Sequence, residues 1–178
     1  MQATIQMQRQ EENKKALFII APANFKDEEY YIPKEILENN NIEVITASLK
    51  SEAISVKGRT QRVDLLLDSA TADYDAIVFI GGQGAKFYFN NKKAHELAYD
   101  FYKQNKIVAA ICIAPVILAK AKVLTGKKST VFPSGKDELT ENGAYYIPKS
   151  VVIDGNIITA DGPDAAGEFG EKLAEMLE

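Results

Sequence analysis

The sequence predicts an α/β fold, a three-layer sandwich in which a mostly parallel sheet carries helices on both faces. Strand-length runs such as Ala16–Ala21 and Ile107–Ile111 are almost continuously apolar, as strands buried on both faces are. They alternate with helix-length segments that carry their apolar residues on one face. Two of the strands run directly into turns of small residues, Gly81-Gly82 and the run around Cys112. In such folds ligands bind beyond the carboxyl ends of the strands.

In chain order, the first strand, Ala16–Ala21, leads through the charged turn Lys26-Asp27-Glu28-Glu29 into a helix ending at Asn39-Asn40-Asn41. Pro33 fits near the start of that helix, or at a kink if the helix begins around Asp27. Ile42–Ala47 is the second strand. Two shorter pieces, Ala53–Val56 and Val63–Leu67 with Gly58 between them, predict a hairpin appended to the main sheet. Tyr74–Ile80 is a strand that runs into Gly81-Gly82-Gln83-Gly84, and Lys92–Gln104 has helical spacing, with Leu97, Phe101 and Tyr102 on or near one face. The Ile107–Ile111 strand and a helix over Pro115–Lys122 follow. Beyond Gly126, Thr130–Phe132 reads as a short strand and Lys136–Asn142 as a polar helical turn closed by Gly143. Asp154-Gly155 between apolar runs predicts a hairpin over Val151–Thr159. Phe169, Leu173 and Leu177 at four-residue spacing give a final amphipathic helix over Ala165–Glu178.

At 178 residues the chain predicts one domain over residues 16–178, preceded by a polar, glutamine-rich arm over residues 1–15. That arm has no apolar region followed by a cleavage site, so no secretory signal is expected there. No apolar run is long enough to span a bilayer. The formal charge of −4 and a pI near 5.2 argue against a nucleic-acid partner. With one cysteine no internal disulfide can form, and a reducing, cytoplasmic setting is expected. Neither a clustered His/Cys metal site nor a dinucleotide fingerprint is present, and no cofactor is expected.

The one cysteine sits where a thiol is arranged for chemistry, in Ala110-Ile111-Cys112-Ile113-Ala114-Pro115. Small residues two positions before and after it permit the sharp strand-to-helix elbow that exposes a nucleophile. Pro115 fits the first turn of the following helix, where its missing N–H leaves nothing unsatisfied. A lone cysteine in an apolar strand commonly packs as a small hydrophobe. Here the flanking alanines, the proline and a nearby acid favour reactivity. Glu28 and Glu29, the Gly81-Gly82 turn and Cys112 all fall at strand carboxyl ends and are expected to converge. A carboxyl can then exchange a proton with the thiol, while backbone N–H groups hold an oxyanion. The elbow amides are expected to favour the thiolate, leaving Glu29 protonated.

Four segments taken in order carry a resemblance to a known family: Glu29-Tyr30-Tyr31-Ile32-Pro33, Val78–Ala85, Ala109–Pro115, and Thr159-Ala160-Asp161-Gly162-Pro163 with the last helix. The chain resembles the ThiJ/PfpI family, also called the DJ-one family, in the class I glutamine amidotransferase-like superfamily. The resemblance runs from Ala16 to the C-terminus and implies a flavodoxin-like sheet. It puts the acid that contacts the reactive Cys112 on Glu29, and the oxyanion amides on Gly81, Gly82 and Ile113. Departures bear on activity. Protease-like members carry histidine directly after the cysteine, where this chain has Ile113, and other members place one where this chain has Phe132. The only histidine, His95, lies beside Lys92 and Lys93 and reads as a solvated surface residue.

The resemblance implies a cofactor-independent, glyoxalase- or deglycase-like hydrolase acting in stress protection on a small electrophile, such as methylglyoxal or glycated groups. An alternative is a non-catalytic oxidative-stress sensor or chaperone in which Cys112 is oxidised to a sulfinic acid. A cysteine peptidase is a third reading, against which Ile113 tells. A homodimer or higher homo-oligomer is expected, with the aromatic run Phe87-Tyr88-Phe89 available to a partner. Arg59 and Arg62 are candidates to hold an anion.

Overall fold

The computed structural model describes residues 12–178, so most of the arm expected over residues 1–15 lies outside the described residues. The chain opens with β1 (Lys15–Ile19), β2 (Ala23–Phe25) and α1 (Asp27–Asn39), followed by β3 (Glu43–Ser48), β4 (Glu52–Ser55), β5 (Thr60–Arg62) and β6 (Leu65–Leu66). Next come β7 (Ala76–Phe79), α2 (Lys92–Lys103), β8 (Ile107–Ile111) and α3 (Pro115–Lys120). The chain closes with β9 (Lys128–Ser129), α4 (Lys136–Glu141), β10 (Tyr145–Tyr146), β11 (Val151–Asp154), β12 (Ile157–Ala160) and α5 (Ala166–Leu177).

Seven strands form the main sheet in the order β11-β12-β8-β7-β1-β3-β6. Every neighbouring pair is parallel except β11–β12, the hairpin. Apolar side chains on both faces of β1, β7 and β8 are buried, as a sheet covered on two sides requires. Helix α1 packs with α5 on one face, and α2 with α3 on the other. The strand order reverses direction at β1, so the crevice beside the carboxyl ends of β1, β7 and β8 is where this topology places a ligand.

Several short elements differ from expectation. The hairpin over residues 53–68 is not an extension of the main sheet. Instead β4 pairs antiparallel with β5 and parallel with β2 in a separate three-stranded sheet. Of the second piece, Leu65–Leu66 forms the main-sheet edge as β6. The strand expected over Thr130–Phe132 lies just upstream as β9, paired with β10. Residues 130–132 leave that ladder because their amides are used elsewhere: Thr130 N–H donates to Thr159 Oγ1 at 2.9 Å and Phe132 N–H to the Cys112 carbonyl at 2.7 Å. Of the two placements open to Pro33, the structure takes the second: helix α1 begins at Asp27 and Pro33 lies inside it. The β11–β12 turn is Gly155-Asn156, with Gly155 at φ 61° in the first central position that a type II′ turn gives to glycine.

The aromatic run after the glycine turn is not a uniformly exposed patch. Phe87 is 55% exposed, but Tyr88 is fully buried and its hydroxyl donates to the Ile20 carbonyl at 2.7 Å. That bond ties the Gln83–Tyr88 turn to the end of the β1 segment. Tyr88→Phe is therefore expected to lower stability by about 1–2 kcal/mol, because it strands a buried carbonyl without removing ring packing. Urea denaturation reads this as a lower midpoint at unchanged m-value.

Candidate functional site

Three adjacent central strands deliver the site. The chain leaves β8 at Ile111 and turns at Cys112, whose φ of 64° puts a non-glycine residue in the left-handed region. Such a conformation is costly for a residue with a Cβ and persists only where its surroundings hold it. Cys112 N–H donates to the Ala160 carbonyl at 2.8 Å, and its own carbonyl accepts from Phe132 N–H at 2.7 Å. The elbow is thus clamped on both sides before the sulfur does anything. Pro115 opens α3 as expected, three residues after the thiol.

Glu29 reaches the same point from the first turn of α1 and is completely buried. Its Oε2 accepts the Gly81 N–H at 2.9 Å, while Oε1 has no nitrogen or oxygen partner and the Cys112 thiol is the group that faces the carboxyl. Gly81 therefore comes to the site but not in the role expected of it. Its amide is occupied by the glutamate and is not free for an oxyanion. The amides that do point at sulfur are those of Gly82 and Ile113. Gly82 holds φ 92° to present its N–H, and Gly81 passes so close to Cys112 and Glu29 that no side chain fits there.

Burial drives the electrostatics. It pushes the Glu29 carboxyl up from 4.5 to about 7, although hydrogen bonds from the thiol and the Gly81 amide pull the other way. It also raises the thiol from 9.0 to about 12, assisted by the charge of Glu29 and by the S–H bond to it, against the amides of Gly82 and Ile113. The carboxyl is raised as the expectation of a protonated Glu29 requires, whereas the thiol moves away from the thiolate expected beside it. The ordinary values of the two groups correspond to about 6 kcal/mol in favour of thiol plus carboxylate. Sulfur has one more amide donor than the carboxyl has, and a hydrogen bond to a charged group is worth about 1.5–3 kcal/mol. That does not close the gap. Burial thus disfavours the charged form of both groups, and a carboxyl poised near neutrality lies hydrogen-bonded to the thiol.

A cleft of about 540 Å³ opens over the pair, its sides including Val56, Ile113 and Phe132. Two of its lining residues, Lys26 and Lys86, were not singled out from the sequence. The only signal for them was position, three residues before Glu29 and two after Gly84. Neither arginine candidate lines this cleft. Arg59 stacks on Tyr31 at 3.8 Å, and Arg62 is 88% exposed near Glu52. His95 lies away from the cleft, half-buried rather than solvated, with Nε2 2.8 Å from the Phe89 carbonyl. Among the described residues no group of three or more His, Cys, Asp or Glu could hold a metal ion, and no helix is long and apolar enough to cross a membrane.

Comparison with known proteins shows the family and the fold. A model of the DJ-1/PfpI family matches residues 14–176. An uncharacterized protein of Methanocaldococcus jannaschii is 43% identical over 171 residues, covering 93% of this chain and 83% of its own length. A Pyrococcus furiosus protein named deglycase PfpI is 36% identical over 165 residues, with 92% and 99% covered. Among solved structures, a ThiJ/PfpI domain protein from Brachyspira murdochii superposes with a TM-score of 0.90 at 30% identity, covering 93% of this chain and 98% of that one. Drosophila melanogaster DJ-1beta does so at 0.85 with 33% identity, covering 93% and 91%. A family match that spans almost the whole described chain, joined to relatives above 30% identity along most of their own length, places this chain in the DJ-1/PfpI family.

Proposed function

We propose that the protein is a cofactor-independent hydratase of small α-oxoaldehydes, with Cys112 as nucleophile and Glu29 as its proton acceptor and donor. The observation that carries this reading is a thiol and a carboxylate oxygen without another partner, buried together at the floor of an open cleft. Relatives named deglycases support a reactive carbonyl as the target class.

The steps balance without an external oxidant or reductant. Cys112 sulfur attacks the aldehyde carbon as its proton passes to Glu29, and the developing oxyanion takes up a proton to give a hemithioacetal. Glu29, ionised again, removes the hydrogen on that carbon. Glu29 returns that proton to the neighbouring carbonyl carbon while the hemithioacetal hydroxyl proton moves to the neighbouring oxygen, which gives a thioester of a 2-hydroxy acid, so one carbon is oxidised and its neighbour reduced. Water then cleaves the thioester, releasing the acid and restoring the thiol. The amides of Gly82 and Ile113 lie where charge grows beside the sulfur. A nucleophile, an adjacent base and amide donors are the parts this chemistry needs.

Incubating the purified protein with methylglyoxal tests the reading. The expected result is catalytic loss of the aldehyde with appearance of lactate, absent in Cys112→Ala. Wild-type protein that consumes no more than one equivalent, or yields no lactate, would overturn it and leave Cys112 as an oxidisable thiol.

A further inference from the structure

The cleft is larger and more basic than a neutral three-carbon aldehyde requires. A volume of about 540 Å³ is in the range of sites that take ligands of many more atoms, roughly 300–1,000 Å³. Its charge also runs against the rest of the molecule. The chain carries a net charge of −4, yet this cleft is lined by Lys26 and Lys86, with the fully buried Glu29 its one acid.

Of the two lysines, Lys26 makes only a long ion pair and Lys86 makes none among the described residues. Glu28, the acid nearest Lys26, is engaged by Lys57 at 2.5 Å, leaving Lys26 Nζ 4.0 Å from its Oε2. Lys86 pairs with no carboxylate among the described residues, although it projects from the turn that presents the Gly82 amide. Lys86, with no carboxylate partner, and Lys26, held only at 4.0 Å by a Glu28 that Lys57 already engages, put two ammonium groups beside the nucleophile where a ligand anion can be received. The apolar surfaces of Val56, Ile113 and Phe132 have room for a short hydrocarbon spacer.

Building on the function proposed above, we infer that the preferred substrates are anionic carbonyl compounds. The reactive carbonyl meets Cys112 while a carboxylate or phosphate at the other end of the molecule is held by Lys26 and Lys86. The two lysines act as specificity-determining residues and take no part in proton transfer.

The test uses two reagents of nearly equal size, iodoacetate and iodoacetamide, which alkylate Cys112 by the same displacement of iodide and differ in charge. This readout does not depend on turnover. The ratio of the iodoacetate rate to the iodoacetamide rate, taken relative to free cysteine at the same pH, is expected to exceed one in wild type. It should fall about three- to tenfold in Lys86→Met and again in the Lys26→Met, Lys86→Met double variant, and it should fall as salt is raised. Lys86→Arg should restore it, and Lys172→Met, on α5, serves as a distant control. Protection of Cys112 from iodoacetamide by inorganic phosphate or by acetate then distinguishes the two anion types. A ratio that both lysine substitutions leave unchanged overturns the inference, whatever the turnover assay gives. A lysine-dependent ratio in a protein that does not convert methylglyoxal or 4,5-dioxopentanoate overturns the glyoxalase reading and upholds the anion site. A thiol inert to both reagents overturns both.

Discussion

Glu29→Gln is expected to lower turnover by about two to four orders of magnitude, the usual contribution of a positioned acid–base group, while leaving the cleft intact. Glutamine keeps the shape and can still accept the Gly81 N–H, so the hydrogen bond that seats the side chain survives in form. What it loses is the ability to take the thiol proton. Below pH 7 the wild-type carboxyl holds its own proton and Cys112 reacts slowly. As pH rises through about 7 the carboxylate forms, and alkylation of Cys112 accelerates before the thiol would ionise unaided. In Glu29→Gln that rise near neutrality disappears and reactivity grows only in the alkaline range, where the thiol ionises on its own. Removing the carboxylate charge moves the thiol down from about 12, yet burial still holds it above its ordinary value. Alkylation followed by mass spectrometry across pH 5 to about 10 reads both profiles. Identical profiles in wild type and variant would show that the two groups do not exchange a proton.

The sheet and the convergence of its strand ends were legible because they are written in long signals. The apolar runs of β1, β7 and β8 admit one reading as central strands, and each ends in a recognisable turn or elbow. What was not legible depends on two or three residues whose pairing is decided in three dimensions. Lys128–Ser129 makes a strand only because Tyr145–Tyr146 comes alongside, whereas the more strand-like Thr130–Phe132 spends its amides fixing Thr159 and the Cys112 carbonyl. The site divides in the same way. The strand ends suggested that Glu28, Glu29, the Gly81-Gly82 turn and Cys112 converge, and the family resemblance implied Glu29 and the amides of Gly81, Gly82 and Ile113, but neither could tell which amide serves which acceptor. Nor could either weigh burial against hydrogen bonding for the proton. Lys26 and Lys86 were passed over because surface lysines are common, and only the shape of the cleft makes these two neighbours of the thiol.

Gly81→Ala is expected to destabilise the protein by about 3 kcal/mol, the upper end of the usual range for overpacking a close-packed site. The added Cβ would lie 2.5 Å from Glu29 Oε2, 2.6 Å from Cys112 Cβ and 2.7 Å from the Ile111 carbonyl oxygen. None of these is the free end of a flexible chain. Ile111 and Cys112 are fixed by the β8 ladder and by the two hydrogen bonds that clamp the elbow, and Glu29 is held by the Gly81 amide itself. Relief therefore requires the ends of β7 and β8 to separate, or Glu29 to leave the thiol. Gly58→Ala separates this steric cause from backbone strain. Gly58 has φ 80° with nothing within 4 Å of its Cβ position, so its substitution costs only the left-handed conformation, about 1–2 kcal/mol. Guanidinium denaturation should rank Gly81→Ala below Gly58→Ala, and Gly81→Ala should also lose the rise in Cys112 alkylation near pH 7 that Glu29 supplies. A Gly81→Ala protein as stable as wild type, with that rise intact, would mean that the strand ends part without cost and that the contact between Gly81, Glu29 and Cys112 does not hold the pair in register.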